Sequence, residues 1–162
     1  MESVPMTQSG LEKLKEELKK LKTVDRPQNV KDIEEARAHG DLSENAEFHA
    51  AKERQSHIAG RIQQVEDWIA RAEVIDVTKL SGDRVVFGAT VTLSDVETDK
   101  EVSYRIVGEV EADLKRGLIS VKSPIARGMI GREVGDAVNI QAPGGVREYE
   151  ITDVKFIEQD PV

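Results

Sequence analysis

Two runs of apolar residues in the first half of the chain repeat with matching spacing, and that match limits the fold more than any other feature. Leu11, Leu14, Leu18 and Leu21 recur in steps of 3, 4 and 3, and Ile58, Ile62, Val65, Ile69 and Ala72 in steps of 4, 3, 4 and 3. Each run is the seam of a helix that packs against one other helix. Glu and Lys fill the positions between, as in Glu12-Lys13 and Lys15-Glu16-Glu17, so the remaining faces are solvated. Thr7 is placed to cap the first helix. Pro27 lacks a donor and crowds the preceding turn, which predicts a bend or loop near Asp25-Arg26-Pro27-Gln28. The apolar pattern resumes at Val30, Ile33 and Ala36 or Arg37, so the break reads as a kink and not as a domain boundary. At ~1.5 Å per residue, arms of about thirty residues form a hairpin roughly 45 Å long. Two helices cannot bury a sizeable core, so a second unit has to hold the base.

The segment joining the two runs is Ala38-His39-Gly40-Asp41-Leu42-Ser43-Glu44-Asn45. Gly40 is suited to end a helix in the left-handed conformation. Asp41 then has the chemistry of an N-cap, and Glu44 falls at the third helical position, the spacing of a capping box. The alternative starts from exposure: two carboxylates on one hydrated turn suit a hard cation such as Mg²⁺. On the residues alone, capping is the favoured reading. The pair by itself binds Mg²⁺ poorly, since that ion prefers sites completed by other oxygens and water, so no ordered metal is expected on the isolated protein. Small Ala46, Ala50 and Ala51 are expected to let the arms approach closely beside the turn.

The second half changes period. Val85–Leu93, Val102–Val107, Leu118–Val121, Ala137–Ile140 and Arg147–Ile151, continuing to Phe156, read as strands, with Pro143-Gly144-Gly145 a hairpin turn. Ser123 as N-cap and Pro124 at the first helical position open one short helix, closed by Gly131. The prediction is an α+β chain: an N-terminal antiparallel coiled-coil hairpin over 1–76 with an acidic tip at 40–45, a linker at 77–83, and a compact antiparallel β domain with one short helix over 84–162. The net charge of −8 is spread over both halves, which disfavours autonomous binding to duplex DNA. Absence of cysteine rules out disulfides, thiolate metal sites and a cysteine nucleophile. No run approaches 18 apolar residues and no basic-then-apolar leader opens the sequence, so a cytoplasmic protein with no membrane partner is expected.

His39-Gly40-Asp41-Leu42-Ser43-Glu44-Asn45-Ala46-Glu47-Phe48-His49-Ala50-Ala51-Lys52 strongly resembles the hairpin tip of the bacterial GreA transcript cleavage factors. Leu118–Gly131, Phe87–Val91, Tyr104–Gly108 and Pro143-Gly144-Gly145 extend the resemblance over nearly the whole chain, in order. The resemblance implies a coiled coil that enters the secondary channel of RNA polymerase and a C-terminal domain of FKBP-like fold that grips the channel rim. It implies a factor that is not itself an enzyme but stimulates the polymerase's own Mg²⁺-dependent cleavage of backtracked RNA, rescuing arrested complexes. Asp41 and Glu44 would be donated to the polymerase active site, as ligands of a shared Mg²⁺ only in that complex. The nascent RNA 3′ end would be a partner, and DNA one only through the elongation complex.

With the family in view, the ligand reading of Asp41 and Glu44 outweighs capping. Asn45 and Phe48 are candidate tip or RNA contacts, with local hydrogen bonding and packing across the hairpin as the plainer accounts. Arg37, Lys52 and Arg54 form a candidate basic patch for RNA phosphates, against ion pairing with Asp41, Glu47 or Glu53. His39 and His49 lie on opposite arms and are read as structural or RNA-proximal. Ser43 stands where the family pattern leads one to expect a basic residue, which removes one cation near the RNA. Ser123, Pro124 and Ile125 are candidate polymerase contacts, against a helix cap with core packing. Prolyl isomerase activity is rejected, because Phe87, Tyr104, Tyr149 and Phe156 are too few for an aromatic-lined proline pocket. Two other readings are a homologue that enters the same channel and inhibits, and a coiled-coil adaptor.

Overall fold

The computed structural model of the protein describes residues 2–40, 45–142 and 144–157. The chain divides into two compact units, Leu11–Arg71 and Met1–Gly10 with Ala72–Val162. The first ten residues thus belong with the second half of the chain, where the sequence suggested one helical unit over 1–76.

Within Leu11–Arg71 the hairpin is as the seams predict. One arm is α1 (Gln8–Lys20), a π-helical turn (Leu21–Asp25) and α2 (Arg26–Ala38); the other is α3 (Ala46–Ala70). Leu14, Leu21, Ile58, Ile62 and Val65 are buried, and Leu18 packs against the cluster of Leu21, Ile58 and Ile62. At Pro27 no loop opens: the irregularity expected over 25–28 takes the form of a π-helical turn just ahead of the proline. The helix widens one turn earlier: Arg26 N–H donates to Leu21 O, five residues back, and Thr23 Oγ1 donates to Lys19 O at 2.7 Å. Widening the turn ahead of proline relieves the clash of its ring with the carbonyl four residues back, and the helix runs on.

The extra residue in that turn advances the seam by one: continued from Leu21 in steps of 4 and 3 it would reach Gln28, and it runs instead through Asn29. Asn29, 2% exposed, lies inward where the apolar pattern pointed to Val30, which is 45% exposed, while Ile33 and Ala36 are buried as that pattern expects. Nor do all three alanines of the second arm face the seam: Ala51 is buried, whereas Ala46 and Ala50 are exposed.

The other unit holds two sheets. β1 (Val4–Thr7) pairs in parallel with β2 (Ala72–Ile75), from Val4 opposite Ala72 to Thr7 opposite Ile75. Thr7 Oγ1 accepts from Gly10 N–H at 3.1 Å, the expected cap of α1. Its hydroxyl also donates to Glu111, whose Oε2 accepts from Thr7 N–H at 3.0 Å and Gly108 N–H at 2.9 Å. Gly108 has to be glycine, since a Cβ there would lie 2.0 Å from Pro5 O. The predicted linker 77–83 is partly built in. Asp76 caps a 3₁₀ turn at Val77–Lys79, and fully buried Val77 would meet a Cβ on Gly88 at 2.4 Å.

The larger sheet has the order β5-β4-β3-β7-β6, from β3 (Thr90–Asp95), β4 (Glu101–Val107), β5 (Leu118–Ser120), β6 (Ala137–Ala142) and β7 (Gly145–Lys155). Neighbours are antiparallel except β4 and β5, so the sheet is mixed where an antiparallel one was expected. The first of these strands begins at Thr90 and not at Val85, because Gly88 turns the chain at φ 88°. Val85 is buried all the same, its N–H donating to Arg132 O at 2.8 Å. Val91, Leu93, Ile106, Ile119 and Ile151 build the core, and α4 (Pro124–Met129) covers it with Ala126 and Met129. The β6–β7 hairpin closes with Ala142 opposite Gly145 (φ 116°), at the predicted turn; Pro143 lies outside the described residues. The result is an α+β chain: a helical hairpin and a mixed-sheet unit with one short helix.

Candidate functional site: the loop end of the hairpin

The loop is defined by how its two flanks are tied. On the first arm, His39 N–H donates to Ala36 O at 3.2 Å and Gly40 N–H to Arg37 O at 3.4 Å, with Gly40 at φ 113° as a terminating glycine should be. On the second arm, α3 begins at Ala46 with Asn45 as its N-cap, Oδ1 accepting from Phe48 N–H at 3.0 Å. α3 is therefore capped by Asn45, with Phe48 at its third helical position, while the cap expected at Asp41 with Glu44 lies outside the described residues. The sequence offers several polar residues in a row here, and the one whose side chain reaches the third helical N–H takes the cap.

Asn45 does more than cap. Its Nδ2 donates across the hairpin to Ala36 O at 2.6 Å, so both ends of the amide are engaged within the hairpin. His39 Nδ1 lies 3.2 Å from Glu47 Oε2 on the opposite arm, and both side chains are exposed. Phe48 is half-buried, with its ring edge-on to His49 at 5.8 Å. Asp41 and Glu44, the residues the sequence singles out, lie outside the described residues. Among the described residues no group of three His, Asp or Glu is placed to hold a metal.

The nearby cations differ in how they are engaged. Lys52 donates to Gln55 Oε1 at 2.9 Å, not to a carboxylate. Arg37 and Arg54 are exposed and form no ion pair among the described residues, and Glu47 and Glu53 face His39 and His57 instead. Among the described residues, the ion pairs with Glu47 and Glu53 that would make this patch merely structural are not formed; Asp41, the third expected partner, lies outside them.

The second candidate surface lies in the sheet unit. Ser123 Oγ accepts from Ala126 N–H at 3.2 Å and caps α4, Pro124 is exposed at its first turn, and Ile125 is half-buried against the core. All three line an apolar groove with Leu114, Leu118 and Ile119. Leu114, 67% exposed on the lip, is a surface residue that sequence periodicity does not reveal, because it sits in a 3₁₀ turn between strands. The capping and core-packing accounts of Ser123 and Ile125 thus hold, and they place Pro124 on the groove.

Comparison with known proteins follows the same division. The family described as "Transcription elongation factor, N-terminal" matches residues 4–74, and "Transcription elongation factor, GreA/GreB, C-term" matches residues 80–156. The "Transcription elongation factor GreA" of Anaeromyxobacter sp. (strain K) is 68% identical, covering 99% of this chain and 96% of its own. The protein of the same name from Phenylobacterium zucineum is 61% identical over 97% of this chain and 100% of its own. Among solved structures, GreA factor homolog 1 (Gfh1) of Thermus thermophilus is 27% identical, covers 94% of this chain and 98% of its own, and has a TM-score of 0.43. No helix among the described residues is long and apolar enough to cross a membrane. With both halves matched and near-full-length relatives above 60% identity, the chain belongs to the GreA/GreB family of transcription elongation factors.

Proposed function

We propose that this elongation factor acts in the cytoplasm by binding bacterial RNA polymerase, entering its secondary channel with the hairpin, and stimulating the polymerase's own cleavage of backtracked RNA. What supports the reading is the family match over both halves of the chain, together with a helical hairpin whose arms α2 and α3 are joined by the segment that holds Asp41 and Glu44.

Two hard oxygen donors suit Mg²⁺ only as part of a set completed elsewhere, here by the polymerase. In phosphodiester hydrolysis such an ion activates the attacking water and offsets charge on the reacting oxygens. Asp41 and Glu44 supply coordinating carboxylates and accept hydrogen bonds from the water to be aligned. Arg37 and Lys52, neither bound to a carboxylate among the described residues, are suited to the phosphates of the RNA 3′ end. Ser123, Pro124 and Ile125, with the groove beside them, supply the grip on the channel rim. The factor donates groups and positions them, and the bond is broken by the polymerase.

The test is a stalled, backtracked elongation complex with labelled RNA. The wild-type protein shortens RNA from the 3′ end and restores elongation. Asp41→Asn, with helix content unchanged by circular dichroism, lowers the cleavage rate on the order of 10- to 100-fold, because an amide is a far poorer Mg²⁺ ligand. Blocked synthesis without shortening would assign the chain to channel inhibition, and no effect on transcription would leave only an adaptor role.

A further inference from the structure

The half of the hairpin nearest the loop contains two cross-arm hydrogen bonds of the same kind, running in opposite directions. Asn29 Nδ2 on α2 donates to Ala51 O on α3 at 2.9 Å, and Asn45 Nδ2 at the start of α3 donates to Ala36 O on α2 at 2.6 Å. Each joins a side-chain amide to a helix carbonyl of the other arm. From the geometry we infer that these two amides are positioning residues: they fix the sliding register of the arms beside the loop, and so where the loop delivers its carboxylates. The inference rests on the reading given under Proposed function.

The argument is one of specificity against adhesion. A seam of apolar side chains resists separation of the helices but tolerates sliding, since one methyl contact replaces another. A hydrogen bond to a single carbonyl does not, and a buried asparagine in a coiled-coil seam characteristically selects register while reducing stability. Asn29 reaches the seam only because the π-helical turn at Leu21–Asp25 advances the phase ahead of Pro27. Ala51, small and buried, leaves its carbonyl open to the amide. On one arm Asn29 and Ala36 lie before the loop, and on the other Asn45 and Ala51 lie after it, so the pair brackets residues 37–44. A displacement of about 1 Å at a reacting group can lower a rate on the order of a hundredfold, which is why register at this point bears on the reaction.

Two substitutions separate positioning from stability. Asn29→Leu places a good helix former in an apolar seam and leaves Ala51 O its helical partner, so the thermal midpoint stays level or rises. Asn45→Ser keeps a capping oxygen but cannot span to Ala36. In the cleavage assay both lower the maximal rate about tenfold or more, with the half-saturating factor concentration changed less than about twofold. Independently of transcription, spin labels at Glu35→Cys and Glu53→Cys, in a chain that has no other cysteine, report the distance between the arms. The otherwise native hairpin gives one narrow distribution, and Asn29→Leu broadens or shifts it. Unchanged label distances in Asn29→Leu, or a wild-type maximal rate in both variants, would overturn the inference. A wild-type protein that fails to stimulate cleavage would instead overturn the function, leaving the distances to decide the register claim.

Discussion

The two halves of the hairpin are held by different chemistry. Away from the loop, Leu14, Leu18 and Leu21 meet an arm carrying Ile58, Ile62 and Val65, and Arg61 forks onto Glu17 at 2.5 and 2.8 Å while lying over the Trp68 ring at 5.1 Å. Beside the loop, the buried positions are Asn29, Ile33, Ala36 and Ala51, and two amide-to-carbonyl bonds cross between the arms. One half supplies apolar area, and the other is narrow and specific. Apolar contact is concentrated in the half away from the loop, and directional bonds between the arms in the half beside it.

Truncation should separate the halves most widely. Ile62→Ala is expected to lower stability by about 2 to 4 kcal/mol in urea denaturation followed by helical circular dichroism, because a buried Ile leaves a cavity in a two-helix seam. In the other half the harmful change is enlargement: Ala51→Leu should cost about 1 to 3 kcal/mol, as the added volume displaces the Asn29 amide. Equal tolerance of Leu at position 51 and Ala at position 62 would erase the contrast. Arg61→Ala should cost about 1 kcal/mol or less and lose most of that effect in high salt, since the ion pair is half-exposed. Val30→Gln should change stability by no more than about 0.5 kcal/mol, which checks that Val30 lies off the seam, as a seam residue would cost several times that.

Acid should weaken the sheet unit through Asp95. Asp95 accepts hydrogen bonds from Glu97 N–H and Thr98 N–H and from Arg147, which hold its carboxyl below the usual range, with the Glu97 bond the largest influence. Its contribution is present above the unfolded-state value and fades as pH falls through the lower folded-state value. Asp95→Asn should flatten the acid limb of the stability curve.

The sequence made the adhesive half readable and the aimed half much less so. Leu and Ile at steps of 3 and 4 declare a seam whatever the partner. By contrast, nothing in the spacing shows that Pro27 is absorbed by a wider turn, and that turn brings Asn29 onto the seam and leaves Val30 exposed beside it. The loop had several polar residues able to cap, so spacing favoured Asp41 while geometry selected Asn45. In the sheet unit Ser123 and Pro124 announced their helix, because cap and proline have few other uses in adjacent positions. The parallel pairing of Val4–Thr7 with Ala72–Ile75 had no signal, since four residues including a proline show no period. The groove beside Pro124 was hidden for a related reason: its lip, Leu114, belongs to no repeating element.

The direct test of shared coordination is the Mg²⁺ dependence of RNA cleavage by a backtracked polymerase. The wild-type factor should lower the Mg²⁺ concentration needed for half-maximal cleavage, and Asp41→Asn at saturating concentration should raise it again by about tenfold or more. An identical Mg²⁺ dependence for wild type and Asp41→Asn, with both bound, would contradict the account.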